Sequence, residues 1–462
     1  MDMTTWFAMV RDAFLTRLWP LPTIAVVLAV LLGLSVPEVD AAIDGDLSNR
    51  VGGWLFGGDA NAARALLGAI ASSMITVTAL TFSLTVVTLQ LASSQFSPRL
   101  LRTFTRDKFV QLTLALFLAT FTYALTVLRA VRGAGDGGGA GELVPKLAVT
   151  LAFVLTLASV VGLVLFLAHL TAQIRVETML RNVHRDAAET MRSVLGERDT
   201  DAEPDGPLRP PAHARTLLAA DDGFLTWVDH EGLLAIAEEE DAVVRLDAHP
   251  GAFVVRGTPV GSTWSSAPGP VSKETAERIA DGVAGCIQVG FERTSAQDVG
   301  YGLRQLTDVA NKALSPGIND PTTAIHALGH ISALLCALSE RALGAQVVRG
   351  KDKRVRVVLD RPDLAAYVDL ALSQPRRYGA ADPQVLQQIF QVLLDLSHRI
   401  APEQRTVVAV ELERLRGTVA AQPFDAVERA SLDAMGHQVQ RILDGAPSTA
   451  ASGSWPTEHS SS

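Results

Sequence analysis

The sequence predicts an α-helical membrane protein, with four transmembrane helices followed by a cytoplasmic α+β region that begins as a small β-rich module and continues as a helical domain. Three observations predict this fold class. The 462-residue chain is 48% hydrophobic and has a positive mean hydropathy. The residues up to Arg175 contain four long apolar runs, and the later residues alternate short strand patterns with amphipathic helix patterns.

Each apolar run is long enough to cross a membrane, because a hydrocarbon core of ~30 Å requires ~20 mostly apolar residues in a helix. No Asp, Glu, Lys or Arg lies inside any run, which argues against an ion or proton relay built on carboxylates. His169, near the end of the fourth run, is interpreted as an interfacial residue. The four predicted spans, which place a transmembrane domain at residues 1–175, are Leu18–Val36, Ala65–Pro98, Phe109–Leu128 and Leu147–Ile174.

The distribution of basic residues predicts the orientation, since positive charges next to short loops stay in the cytoplasm. They precede the first span, crowd the second connection and follow the fourth span, at Arg11, Arg17, Arg99, Arg102, Arg106, Lys108, Arg175, Arg181 and Arg185. The first connection is mainly acidic, whereas Arg129, Arg132 and Lys146 in the third weaken the bias. We expect a multi-pass protein of the bacterial inner (plasma) membrane with both termini in the cytoplasm.

The second span carries two polar stripes. One consists of threonines at i, i+3, i+7 and i+10, namely Thr78, Thr81, Thr85 and Thr88. The other contains Ser73, Thr76, Ser83 and Gln90. A helix with two polar stripes cannot turn both toward lipid cheaply, so at least one stripe is expected to face protein or water.

Two interpretations of these stripes stay open. Ser and Thr are ordinary at helix–helix contacts in membranes, where their hydroxyls bond to the preceding turn. Alternatively, the eight residues line a path for a small ion or solute around the axis of a homo-oligomer, replacing part of its hydration shell.

The cytoplasmic part divides into four predicted segments. Residues 176–222 read as an amphipathic helix followed by an acidic, Pro-containing linker. Residues 223–270 form the small β-rich module, with short strand patterns and Gly or Pro at the turns, and 271–443 form the mainly helical domain. The remaining residues, 444–462, are expected to be a disordered tail.

A polar pocket is one hypothesis for the helical domain. Arg293, Asp298, Asn319 and Asp320 are its candidate residues, although Asn319 or Asp320 also fits the N-cap of a helix with Pro321 in its first turn. His326 and His330 have the i, i+4 spacing of zinc ligands. We predict no metal site, because the glutamate of the metalloprotease motif and a third ligand are missing.

Several function classes are disfavoured by composition and motifs. The formal net charge of −9 argues against nucleic acid as a partner. Two cysteines without a CxxC pair indicate neither a disulfide framework nor a zinc site. The chain has no GxSxG, P-loop or HExxH motif, so we expect neither an enzyme nor a bound cofactor.

Two long motifs carry a family resemblance. The segment SSMITVTALTFSLTVVTLQLASSQFSPRLLR at Ser72–Arg102, together with ALSPGINDPTTA at Ala313–Ala324 and the preceding ERTSAQD, resembles a bacterial predicted membrane protein family catalogued only as a domain of unknown function, DUF2254. The resemblance implies four transmembrane helices and a cytoplasmic C-terminal region, with no established activity. From the residues we expect an oligomeric channel or solute-permeable pore with a cytoplasmic regulatory domain. The alternative is a membrane-tethered sensor or scaffold whose cytoplasmic domain binds a ligand or protein.

Overall fold

The computed structural model describes residues 19–43, 55–95, 107–132, 144–173, 175–198 and 209–445. The chain divides into two compact units, Met1–Thr178 and Met179–Ser462. Residues 199–208 of the expected linker lie outside the described residues, as does the expected tail apart from Asp444 and Gly445. So do the basic residues at 11, 17, 99, 102 and 106.

Four helices make up the first unit: α1 (Pro20–Ile43), α2 (Ala60–Gln95), α3 (Lys108–Leu128) and α4 (Lys146–Gln173). They coincide with the four predicted apolar runs, but α1 continues past the uncharged stretch. The carboxylate of Asp40 is buried there and accepts a hydrogen bond of 2.8 Å from the backbone N–H of Leu147. Because the carboxylate of Asp40 has this hydrogen bond, its burial in the helix is tolerated. A buried carboxylate without a hydrogen-bond partner would destabilise the helix.

Helix α3 is the packing centre of the first unit and contacts the other three helices. Its residues Phe117, Tyr123, Ala124 and Val127 are fully buried. Gly33 of α1 allows the closest approach, since a Cβ at that position would lie 2.7 Å from the Thr126 Cβ. Small residues at such crossings permit the close backbone packing that membrane helices use in place of a hydrophobic driving force.

Most of the large side chains on the outer surface of helix α4 are apolar. Helix α4 exposes Phe153, Val161 and Val164, each by about half or more of its side chain. Contiguous apolar surface of this kind is unfavourable in water and favourable against lipid. Five helices in the described chain are long and apolar enough to cross a membrane: α1 to α4 and Pro321–Ser339 of the second unit.

The second unit combines two small sheets with helices, which confirms an α+β region after the apolar helices. Helix α5 (Val176–Val194) leads into it. The strands are β1 (Arg215–Leu218), β2 (Gly223–Val228), β3 (Ala242–Leu246), β4 (Phe253–Val254), β5 (Pro259–Ser265), β6 (Ile287–Gly290), β7 (Gln346–Arg349) and β8 (Val355–Leu359). Helix α6 (His230–Glu239) follows β2, and α7 (Lys273–Cys286) precedes β6.

The larger sheet has the strand order β1-β5-β3-β8-β7, and the smaller has the order β4-β2-β6. Strands β3 and β8 are parallel, with Val244 opposite Val357, and the other neighbours in both sheets are antiparallel. Helix α6 packs on β3 and β8, and a buried apolar cluster joins the layers. The sequence placed a β module at 223–270 and helices at 271–443, whereas the sheets join strands from both ranges.

Six helices complete the second unit: α8 (Gly300–Ala313), α9 (Pro321–Ser339), α10 (Leu364–Tyr378), α11 (Pro383–Ser397), α12 (Arg405–Ala420) and α13 (Ala426–Leu443). Aspartates cap several of them. Asp320 and Asp382 each precede a proline, and their carboxylates accept bonds from the first-turn N–H groups. Helix α11 packs against α9 and α13, with Phe390 buried.

Candidate functional site

A cavity of about 260 Å³ lies in the second unit. Its wall includes Ala248–Gly251, which follow β3, and Leu359–Pro362, at and beyond the end of β8. Because β3 and β8 are parallel, their carboxyl ends meet at one edge of the sheet, which is where open α/β sheets bind ligands. The first residues of α8 and the first turns of α10 close the cavity.

An ion pair forms part of the wall. Arg293 donates from Nε (2.8 Å) and Nη2 (2.6 Å) to the same Oδ2 atom of Asp298, whose residue is only 5% exposed. Burial raises the pKa of Asp298, while the Arg293 guanidinium acts in the opposite direction. The pair therefore places little net charge in the cavity.

Gly251 brings the backbone against this ion pair. Its φ of +92° is in the left-handed region, and a Cβ there would collide with the Asp298 carboxylate and approach Nη2 of Arg293 to 2.8 Å. Gln297 fixes the neighbouring strand end, accepting from the N–H of Val228 (2.8 Å) and donating to its carbonyl (3.1 Å). The wall is thus held by hydrogen bonds between segments that are distant in sequence.

A second arginine has a different environment. Arg361 is half-buried, and its hydrogen bond to the Val194 carbonyl is long, at 3.4 Å. Among the residues that the structure describes, no carboxylate lies within ion-pairing distance of Arg361. Burial lowers the pKa of Arg361, and burial followed by the Arg361 charge lowers the pKa of His230 on the same wall. The wall is therefore electropositive at this point.

The structure brings together two of the four predicted pocket residues. Arg293 and Asp298 line the cavity. Asp320 instead caps α9, accepting bonds from the N–H (3.1 Å) and hydroxyl (2.6 Å) of Thr323. Asn319 precedes it with a φ of +49°, in the left-handed conformation that asparagine tolerates at a turn. The cavity residues Arg361, His230 and Tyr367 were not predicted, because they come from distant segments without a common motif.

His326 and His330 belong to α9, and a third histidine, His184, lies next to His330. The rings of His330 and His184 are 5.2 Å apart, and Nδ1 of His184 is buried without a hydrogen-bond partner in the described chain. Burial lowers the pKa of His330, followed by the charges of His184, His326 and Arg181. In the part of the chain that the structure describes, no three His, Cys, Asp or Glu side chains are grouped to hold a metal ion.

This histidine cluster predicts acid sensitivity. Because the folded-state pKa of His330 lies below the ordinary value of 6.5, the unfolded chain takes up the proton first. The free energy of unfolding should therefore fall as the pH drops below about 6.5 and be retained above it. His330→Gln should reduce that fall, measured by urea unfolding at several pH values. His437→Gln, at an exposed position of α13, should leave the dependence unchanged, and an equal change in both variants would contradict the prediction.

The two polar stripes of α2 have different surroundings in the first unit. Thr78, Thr81, Thr85 and Thr88 are buried on the face that packs within the unit. Three of them donate to the carbonyl four residues earlier, and the Thr81 hydroxyl has no hydrogen-bond partner within the described chain. The second stripe, Ser73, Thr76, Ser83 and Gln90, is exposed on the outside of the unit.

His169 contacts the start of α3. Its Nε2 lies 2.5 Å from Oδ2 of Asp107, and Oδ1 of the same carboxylate accepts the N–H of Phe109 as the N-cap. The two side chains are partly exposed, at 28% and 12%. This arrangement fits a residue near a helix end, and the interfacial position of His169 stays a prediction.

The comparisons with known proteins identify the same family that the two sequence motifs resemble. The family model of a predicted membrane protein, DUF2254, matches residues 16–395. An uncharacterized protein of Mycobacterium tuberculosis, Rv1290c, is 34% identical over 425 residues, covering 91% of this chain and 80% of its own. The uncharacterized protein Mb1321c of Mycobacterium bovis is similar to the same extent. No solved structure matches. The chain belongs to the DUF2254 family of predicted membrane proteins.

Proposed function

We propose that this protein is a homo-oligomeric channel or solute-permeable pore of the bacterial inner membrane, with α1 to α4 as its four spans and the second unit as a cytoplasmic regulatory domain. The single observation that carries the proposal is the exposed polar stripe of α2. A helix surface bearing Ser83 and Gln90 is poorly suited to lipid, and a water-filled path between copies would hydrate it.

Four spans are favoured over five because of how α9 is packed. Its residues Leu328, Ile331 and Leu335 are fully buried within the second unit, and its Ser332 hydroxyl donates to the Asp395 carboxylate (2.6 Å) of α11. A helix that is surrounded by its own domain is apolar for the same reason as any core helix. The even number of spans, with basic residues at Arg181 and Arg185 after α4, supports both termini in the cytoplasm.

The exposed stripe differs from its neighbours in chemistry and spacing. Thr76, Ser83 and Gln90 follow one another at intervals of seven residues, so they lie along one line of the helix. Phe82 and Val86 are exposed beside them and suit contact with lipid or with a partner helix. The buried threonines of the other stripe are occupied by packing inside the protomer, so the path is proposed along the exposed stripe.

Planar-bilayer recording of the purified protein tests the path. Ser83→Leu and Gln90→Leu should each lower the current at matched protein load by roughly tenfold or more, because both remove hydration sites and narrow the path. Phe82→Leu, an exposed apolar change beside them, should leave the current unchanged. Equal currents in the parent protein and in both stripe variants would contradict a path along α2.

A ligand-binding sensor or scaffold is the second candidate function, and the cavity of the second unit favours it. The cavity combines apolar walls with a few convergent polar groups, as small-molecule sites do. Silence in recordings under varied voltage, tension and osmolarity, together with saturable ligand binding, would favour the sensor over the pore.

A further inference from the structure

We propose that the cavity of the second unit binds a small organic anion, with its anionic head on the Arg361 guanidinium and its apolar body against Leu359, Pro362 and Leu370. The inference rests on the second candidate function, that of a ligand-binding unit, and names the ligand class. It does not depend on a path through the membrane.

The charge on the wall is the first step of the argument. A guanidinium has five N–H donors in a planar fork, and Arg361 uses one of them in a long bond to the end of α5. Removing a guanidinium from water without a counter-ion is unfavourable, so its position beside an open cavity is explained by an anion that enters.

The neighbouring charges do not already neutralise Arg361. Asp298 is bound by Arg293 through two N–H donors, and Asp360 lies 3.4 Å from the Arg245 guanidinium. His230 lies on the same wall as Arg361, and a ring N–H of its neutral imidazole is a further hydrogen-bond donor for an anion. Both carboxylates of the wall are thus paired with other arginines, and Arg361 gives the cavity wall a positive charge.

Size and apolar surface narrow the ligand class. The volume of about 260 Å³ lies just below the roughly 300 Å³ at which pockets for drug-sized ligands begin. Val194, Leu195, Val228 and Ala366 extend the apolar wall, so a bare inorganic ion would leave most of the surface without a partner. A short aliphatic or aromatic acid matches both the charge and the wall.

Isothermal titration of the full-length protein in detergent with matched probes tests this ligand class. Hexanoate has both the anionic head and the apolar body, acetate has only the anionic head, and hexanamide has only the apolar body. We expect hexanoate to bind at least tenfold more tightly than either. Inorganic phosphate should bind as weakly as acetate, and phosphate that competes equally with hexanoate would overturn the organic part of the inference.

Variants of the cavity wall test whether the anion binds at Arg361. Arg361→Gln should weaken hexanoate binding roughly 10- to 100-fold, the range for loss of a charged hydrogen bond. Arg377→Gln, which removes an exposed arginine of α10 outside the cavity wall, should leave it unchanged. Unchanged hexanoate binding in Arg361→Gln overturns the inference.

Two further readouts separate structural loss from ligand loss. If Arg361 served only to cap α5, Arg361→Gln would lower the thermal midpoint. We expect the midpoint to stay equal or rise, because an unpaired half-buried charge is removed. Ala366→Trp, at an exposed position on the rim, fills the cavity without altering its charge and should abolish binding of hexanoate.

The outcomes also distinguish this inference from the second candidate function. Equal binding of hexanamide and hexanoate, both lost in Ala366→Trp, would contradict the anionic class and retain a ligand-binding cavity. Absence of binding by all four probes would overturn the anion site and remove the cavity as support for the second candidate function.

Discussion

Glu411→Ala should destabilise the second unit by about 3–5 kcal/mol, the cost of leaving a buried charge without its partner. Glu411 of α12 is 2% exposed and accepts from Nε of Arg376 (3.1 Å) and Nη1 of Arg414 (3.3 Å). The Arg376 side chain is only 14% exposed, so its charge stays largely shielded from solvent when the carboxylate is lost. Urea unfolding of the full-length protein measures the change, followed by tryptophan fluorescence, to which the buried Trp264 of the second unit contributes.

Glu413→Ala is the matched control for this network. Glu413 lies two residues away on the same helix and pairs with Arg416 at 2.7 Å, but its side chain is 68% exposed. Exposed ion pairs contribute ~0–1 kcal/mol, so this variant should unfold close to the parent. Similar losses in the two variants would mean that burial does not determine the effect.

Gly251→Ala should cost about 2–5 kcal/mol. A left-handed φ costs an L-residue about 1–2 kcal/mol, and forcing a methyl group into a packed site adds about 1–3 kcal/mol. The methyl group would displace the Asp298 carboxylate from Arg293, so the cavity wall should deform as well. Urea unfolding gives the loss of stability, and isothermal titration with hexanoate measures the change in the cavity.

Gly257→Ala separates strain from collision. Gly257 also has a positive φ, of +78°, but nothing lies within 4 Å of the position that a Cβ would occupy. Its substitution should cost only the conformational part, about 1–2 kcal/mol, and should not alter the cavity. A loss equal to that of Gly251→Ala would show that the contact with the ion pair is unimportant.

The helices could be predicted from local signals alone. Apolar run length located α1 to α4, and Asp320 with Pro321 indicated the start of α9. Asp382 and Pro383 have the same arrangement at the start of α11. The stripes of α2 follow from helical spacing, but which stripe is buried depends on where α3 packs. Spacing within one helix contains no information about its neighbours.

The strands and the cavity were harder to predict. Strands β7 and β8 have a local signal, since two valine-rich runs flank a polar turn at 350–353, yet the pairing of β8 with β3 has none. Arg293 and Asp298 are five residues apart and were predicted to lie together. Arg361 follows a strand as an ordinary loop residue, and only the assembled sheet places it beside His230.

The parallel pairing of β3 with β8 has a consequence for how the protein is made. During synthesis, β3 leaves the ribosome long before β8, and its apolar residues Val243, Val244 and Leu246 then have an open edge on one side. Non-local pairings of this kind slow folding, and unpaired strand edges recruit other chains. A nascent chain whose synthesis has passed Ser265 but not reached Val355 thus carries an unpaired β3 edge. We expect aggregation, and the need for chaperones, to be greatest at this stage.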